Sequence, residues 1–159
     1  MVLAIEKAVG QMRKAIEDYN MIQEGDRLAV GVSGGKDSLA LLAGLGELKS
    51  YYPKSFEIEA VTLTMGLGEL DLSPVSGLCR KLGINHTVED TLIGKIVFEA
   101  RDEKNPCSLC ANMRRGALNN AAVRLNCNRV ALGHNKDDLI ETSLLSLFYE
   151  GRFHTFSPV

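Results

Sequence analysis

No stretch of this sequence is apolar enough to span a membrane, and its N-terminus lacks a signal-peptide pattern, so the cytoplasm is the expected location. Charge of one sign is not in excess either. The 18 Lys and Arg against 20 Asp and Glu leave a net charge of −2, so any basic surface for nucleic acid must be local. Cysteine is sparse, with 4 in 159 residues, which excludes the disulfide framework of a small secreted domain. Internal repeats and low-complexity segments are absent. What remains is 45% apolar and 24% charged residues, the balance of an ordinary globular domain long enough to bury a core.

Two familiar phosphate motifs are also missing. The P-loop needs four residues between its first glycine and Gly-Lys-Ser/Thr, and the dinucleotide motif needs Gly-x-Gly-x-x-Gly. The chain instead carries Ser33-Gly34-Gly35-Lys36-Asp37-Ser38. This stretch lies between a β-prone run, Arg27–Val32, and a run with Leu39, Leu42 and Leu45 at helical spacing. Strand, glycine turn and helix start together make an anion site, because a helix N-terminus offers free N–H groups and the positive end of its dipole. The glycines allow close backbone approach, the serines add hydroxyl donors and Lys36 adds charge. A plain glycine connection is the alternative, but it requires none of these polar side chains.

The rest of the chain alternates strands and helices. Ile5, Val9, Met12, Ile16 and Tyr19 line one face of a first helix. A second strand runs from Ile58 to Met65 and a third from Asn85 to Glu89. Between them, Ser73-Pro74 reads as an N-cap and first helical residue, and Gly83 as the far cap. Residues 91–104 are weakly periodic and read as a loose helix. A helix follows Pro106, with Met113, Ala117, Ala121 and Leu125 on one face. Arg129–Leu132 is a fourth strand, and a last helix runs through Ile140, Leu144, Leu147 and Phe148. The expected fold is α/β, an open parallel sheet with helices on both faces. Residues 1–26 form a helix and lead-in, and 27–159 the nucleotide-binding domain.

In such a sheet, ligands sit beyond the carboxyl ends of strands where the strand order reverses. If the first and fourth strands are neighbours, Ser33–Ser38 and Gly133-His134-Asn135-Lys136-Asp137-Asp138 face one crevice. Phosphates would sit at the first loop and Mg²⁺ at Asp137 or Asp138, since Mg²⁺ takes one or two carboxylates plus substrate phosphates. Capping and dipole compensation of the last helix would equally explain the two acids.

At this point Ser33–Ser38 resembles the PP-loop of the ATP-pyrophosphatase superfamily, whose members share an adenine nucleotide alpha hydrolase-like fold, and Gly133-His134-x-x-Asp137-Asp138 resembles its second motif. Pro106-Cys107-Ser108-Leu109-Cys110 with Arg114-Arg115-Gly116, and the lead-in Tyr19-Asn20-Met21-Ile22-x-x-Gly25-Asp26, are similar to the tRNA 2-thiocytidine synthetases. No cysteine pair precedes residue 30, unlike many thiolases of other tRNA positions. The resemblance implies an enzyme that cleaves ATP to AMP and pyrophosphate, adenylates a cytidine carbonyl in tRNA and replaces its oxygen with sulfur. Lys36 and Asp37 would act in catalysis with Cys107 and Cys110, while Ser33, Gly34, Gly35, Ser38, His134 and Asp138 would bind ATP. The adenine would be read by backbone near Leu63 to Met65.

Cys107 and Cys110 would be two ligands of a [4Fe–4S] cluster, and the family's third ligand lies beyond Val159; Cys79 and Cys127 read as small core residues. A redox or persulfide pair and a zinc site remain rival readings of the cysteine pair. Arg114 and Arg115 are the candidate substrate contacts in a locally basic region that includes Arg101, Lys104, Arg124 and Arg129. The expected partners are tRNA, a sulfur donor such as a cysteine desulfurase and a second copy of the chain, with no membrane. Competing readings are a PP-loop ligase or amidotransferase-type enzyme on another substrate, and a non-catalytic nucleotide-binding or sulfur-relay fragment.

Overall fold

The computed structural model describes residues 2–68, 70–100 and 106–156, and the side chains among these from residue 6 onward except residue 100. Four strands form one sheet in the order β3-β2-β1-β4, all parallel. They are β1 (Asp26–Gly31), β2 (Phe56–Leu63), β3 (Asn85–Glu89) and β4 (Arg129–Ala131). The helices are α1 (Val2–Asp18), α2 (Lys36–Lys49), α3 (Ser73–Leu82), α4 (Ile93–Lys95), α5 (Pro106–Arg124) and α6 (Lys136–Leu145). α4 runs on as a π-helical turn over Ile96–Ala100, and α6 as another over Ser146–Glu150.

Side-chain alternation along the strands divides the core in two. On one face Leu28, Val30 and Val32 of the first strand and its exit meet Ile58 and Ala60, under Leu42, Leu45 and Leu48 of α2 and Val75 and Cys79 of α3. Val9 and Ile16 of α1 join this same core, so the first helix packs into one unit with the sheet. On the other face Ala29 and Val61 meet Leu118, Ala121 and Ala122 of α5. Helices therefore cover both faces, as the strand–helix alternation requires.

Several local expectations shift. Tyr19 lies one residue past α1 and is exposed, because the helix ends at Asp18. Ser73 is the first helical residue of α3 and not its cap. Asp71, two residues earlier, accepts from both Ser73 N (2.9 Å) and Ser73 Oγ (2.6 Å). These bonds hold the Asp71 carboxyl below its ordinary pKa. The buried stripe of α5 includes Leu118 and Ala122, which the 113/117/121/125 pattern omits. Ile140, Leu144, Leu147 and Phe148 face solvent; the buried residues of this segment are Ser143 and Ser146. Of the loose helix, 101–104 lie outside the described residues.

Candidate functional site

β1 lies between β2 and β4, so the chain reverses its direction of travel across the sheet between β1 and β4. That is the switch point at which open α/β sheets bind ligands. A crevice of about 360 Å³ opens there. Ser33, Gly35, Asp37 and Ser38 line it from the β1 side, and Gly133, His134 and Asp138 from the β4 side. The two loops thus face each other as the sequence suggests.

The two helix starts at the crevice differ. α6 is closed by its own residues: Asn135 Oδ1 accepts from Asp137 N (2.8 Å) and Asp138 N (3.3 Å), and Asp138 Oδ2 accepts from Asn135 N (2.7 Å). This is a complete capping box. α2 has Gly35 at its N-cap and no side-chain cap. Its first N–H groups therefore keep their capacity for an anion, at the positive end of a 14-residue helix. Gly34, at φ +84°, makes the turn into this start in a conformation that favours glycine.

The loop's hydroxyls have distinct tasks. Ser38 is buried, and its Oγ donates to Gly35 O (2.9 Å) and accepts from Ser33 N (3.3 Å). Its proton is thus engaged within the loop, while that of Ser33 is not fixed by a backbone acceptor. Ser33 Oγ lies 3.3 Å from Ser38 Oγ and accepts from Gly35 N at 3.4 Å, a longer bond that a phosphate could displace. Lys36 does not line the crevice. Its exposed Nζ pairs with both Asp37 oxygens, at 2.9 and 3.1 Å. This hydrogen bond, followed by the Asp37 charge and then by Asp138 and Asp137, raises the Lys36 pKa. The ammonium is thus fully charged and held beside the loop.

α5 forms the opposite wall. Ala111, Arg114, Arg115 and Leu118 line the crevice at helical spacing, with Leu63 across from them on β2. Cys107 and Cys110 sit four residues before Ala111 and Arg114, about 6 Å along the axis and nearer the helix start. Cys107 is exposed and Cys110 half-buried. Cys79 is buried on the opposite face of the sheet, and burial raises its thiol pKa. Cys127 lies just before β4, past the far end of α5, about 21–26 Å of helix from the pair. Neither belongs with the pair, and among the described residues no group of three or more His, Cys, Asp or Glu is gathered for a metal ion.

Not every candidate reaches the crevice. Gly34, Met65 and Asp137 are outside its lining. The Met65 carbonyl accepts from Gly94 N (2.8 Å), and Thr64 N donates to Glu89 O (2.9 Å), so this stretch is largely engaged with its neighbours. Arg124 pairs with Glu89, and Arg129 Nε with Asp26 at 3.2 Å, so both are structural ion pairs. Arg101 and Lys104 lie outside the described residues. Sequence reasoning passed over Ala111, Val61, Leu118 and Leu132 as lining residues. The only available signal was the spacing of Ala111 and Leu118 from Arg114.

The PP-loop domain model matches residues 5–155. The tRNA-cytidine(32) 2-sulfurtransferase of Pelobacter propionicus is 44% identical over 154 residues, covering 96% of this chain and 56% of the relative. That of Geotalea uraniireducens is 41% identical over 146 residues, covering 91% and 58%. The chain thus spans little more than half the length of these relatives. Among solved structures, the U34-tRNA thiolase NcsA of Methanococcus maripaludis, with its [4Fe-4S] cluster, superposes with a TM-score of 0.76 at 25% identity, over 94% of this chain and 52% of that one. An NH3-dependent NAD synthetase from Campylobacter jejuni shares the fold, with a TM-score of 0.55 at 19% identity over 85% of this chain and 57% of the synthetase. No helix among the described residues is long and apolar enough to cross a membrane. With a domain match over nearly its whole length, an uncapped helix start behind Ser33–Ser38 and Gly133–Asp138 opposite, the chain belongs to the PP-loop domain family.

Proposed function

We propose that this chain is the nucleotide-binding unit of an ATP-dependent tRNA sulfurtransferase that forms 2-thiocytidine. The observation that carries this reading is the placement of Cys107-x-x-Cys110 one helical turn from a crevice whose α2 start has no side-chain cap. The first feature suits sulfur delivery and the second suits a polyphosphate.

The residues support a definite division of labour. The N–H groups that open α2 and the Ser33 hydroxyl hold the β- and γ-phosphates, while Lys36 swings from Asp37 onto them. The base carbonyl oxygen attacks the α-phosphorus, the α–β bridging bond breaks, and pyrophosphate leaves into this cradle. Donors already aimed at the departing charge stabilise the transition state without reorganising. Asp138 lines the crevice and is the better of the two acids for Mg²⁺. Only its Oδ2 serves the capping box. Asp37 is released when Lys36 moves to phosphate. Arg114 and Arg115 hold tRNA or AMP phosphate on the α5 wall. The adenine lies against Leu63.

Cys107 and Cys110 fit two ligand positions of a [4Fe–4S] cluster, lying three residues apart on α5 with Cys107 exposed, and such a group would supply sulfur for transfer when bound. Relatives that are tRNA-cytidine(32) 2-sulfurtransferases support cytidine as the target. The enzyme would work in the cytoplasm with a sulfur donor such as a cysteine desulfurase, and as a homodimer.

The test is anaerobic incubation with tRNA, ATP, Mg²⁺ and a sulfide source, followed by nucleoside analysis and measurement of AMP. Thiocytidine with matching AMP establishes the reading. AMP formed on a small amine acceptor, without tRNA, would replace it with a ligase. ATP binding with no AMP release under any condition would replace it with a binding module.

A further inference from the structure

A polar chain runs through the otherwise apolar face of the sheet. Thr62 of β2 is fully buried, and its Oγ1 donates to Val32 O at 2.8 Å. The same oxygen lies 2.9 Å from His86 Nε2. A hydroxyl has one proton, already given to Val32, so Nε2 carries the imidazole proton and donates. Nδ1 is then the acceptor, and Ser76 Oγ lies 3.2 Å from it. Every member is satisfied in this one neutral tautomer. Burial also lowers the His86 pKa, which keeps the ring neutral.

The chain ends at a particular place. Val32 is the residue before Ser33, and it lines the crevice. Its N–H donates to Val61 O at 2.8 Å. Both polar groups of Val32 are therefore held from β2 at the point where the backbone leaves the sheet for the loop. Val75, next to Ser76, packs closely enough that a Cβ on Gly34 would sit 3.9 Å from its Cγ2. The relay therefore runs beneath the loop, from α3 through β3 and β2 to β1. Valine or leucine at 62 and 86 would fill such positions in a buried parallel sheet without desolvating polar groups.

We propose that Ser76, His86 and Thr62 form a positioning relay that fixes the Val32 carbonyl and thereby sets the geometry of the polyphosphate cradle. The inference rests on the nucleotide-binding reading of the crevice and assigns three residues to it that do not touch the ligand. They act on phosphate recognition and leave adenosine recognition alone.

Calorimetric titration of ATP, inorganic pyrophosphate and adenosine tests this on the whole chain. Thr62→Val and His86→Leu should weaken ATP and pyrophosphate by about tenfold, the worth of one lost buried hydrogen bond. Adenosine binding should stay unchanged, and Thr62→Ser should restore the phosphate affinities. Wild-type affinity in Thr62→Val overturns the relay, as does an equal loss for all three ligands, which marks general damage. On the wild-type protein, imidazole nitrogen shifts should show His86 protonated at Nε2 and perturbed by pyrophosphate. A proton on Nδ1, or no response, overturns the relay even if a variant fails to fold. Absence of ATP and pyrophosphate binding in the wild type would instead refute the nucleotide reading beneath it.

Discussion

Gly133 lies flush against the Asp37 peptide. A Cβ at 133 would stand 2.9 Å from Asp37 C, 2.9 Å from Ser38 N and 3.0 Å from Asp37 O, closer than a side chain can approach backbone. The two crevice loops are thus in direct backbone contact, and the glycine of the second motif sets the position of the first. Gly133→Ala must push the start of α2 away. It should destabilise the fold by about 1–3 kcal/mol, the usual cost of overpacking. It should also cost on the order of 100-fold in turnover, through misplacement by up to an ångström. Urea unfolding and ATP-dependent AMP release measure the two effects, and a variant that turns over normally would break the link between the loops.

Lys36 is exposed and pairs only with its neighbour Asp37 among the described contacts, so the fold draws little on it. Lys36→Ala should change stability by less than about 0.5 kcal/mol, as for other exposed positions. ATP affinity should nevertheless fall by about 10- to 100-fold, the scale of a charge-assisted bond. Unchanged AMP formation in this variant would sink the cradle assignment.

Asp26 contributes to acid stability. It is buried at the amino end of β1, and burial alone would raise its pKa. Bonds from Gln23 N (2.8 Å), Asn128 Nδ2 (2.7 Å) and Arg129 Nε (3.2 Å) outweigh that and lower it. Its stabilisation is therefore complete above the unfolded carboxyl value of about 3.9 and drains away as the pH falls through the lower folded value. Asp26→Asn should cost about 1–3 kcal/mol at neutral pH, because it disturbs bonds to a buried charge. The gap in urea midpoints between variant and wild type should shrink toward pH ~3. An equal gap at both pH values would show that the charge is not what matters.

Arg114 and Arg115 distinguish tRNA from nucleotide contact. If they neutralise tRNA phosphates, each replacement by Ala should reduce the salt slope of tRNA affinity by about one. If they hold AMP phosphate, the slope stays and ATP affinity drops. A change in neither quantity would remove both arginines from the site.

Cys107 and Cys110 should give the anaerobically purified chain a broad brown absorbance with stoichiometric iron and sulfide, lost in the Cys107→Ser, Cys110→Ser variant. Replacing Cys79 or Cys127 should leave the colour, since one lies across the sheet and the other at the far end of α5. Colour that survives loss of the pair would move the cluster assignment elsewhere.

The amino-acid sequence by itself determined the local pieces. Strand, Gly34-Gly35 turn and α2 follow from neighbouring residues, as does Gly83 ending α3, because turn chemistry and helical periodicity are properties of short windows. The two loop motifs were likewise readable, each at a strand end. Tertiary structure decided what depends on register between distant strands. The order β3-β2-β1-β4 brought Ser33 and Gly133 to one crevice and put Asp138, not Asp137, on its wall. Pairing of Ala60 with His86 placed the imidazole on the same face as Thr62, a contact across 24 residues that neither segment announces. In a parallel sheet, partners are joined only through long crossovers, so which side chains share a face is fixed by pairing and not by sequence neighbours.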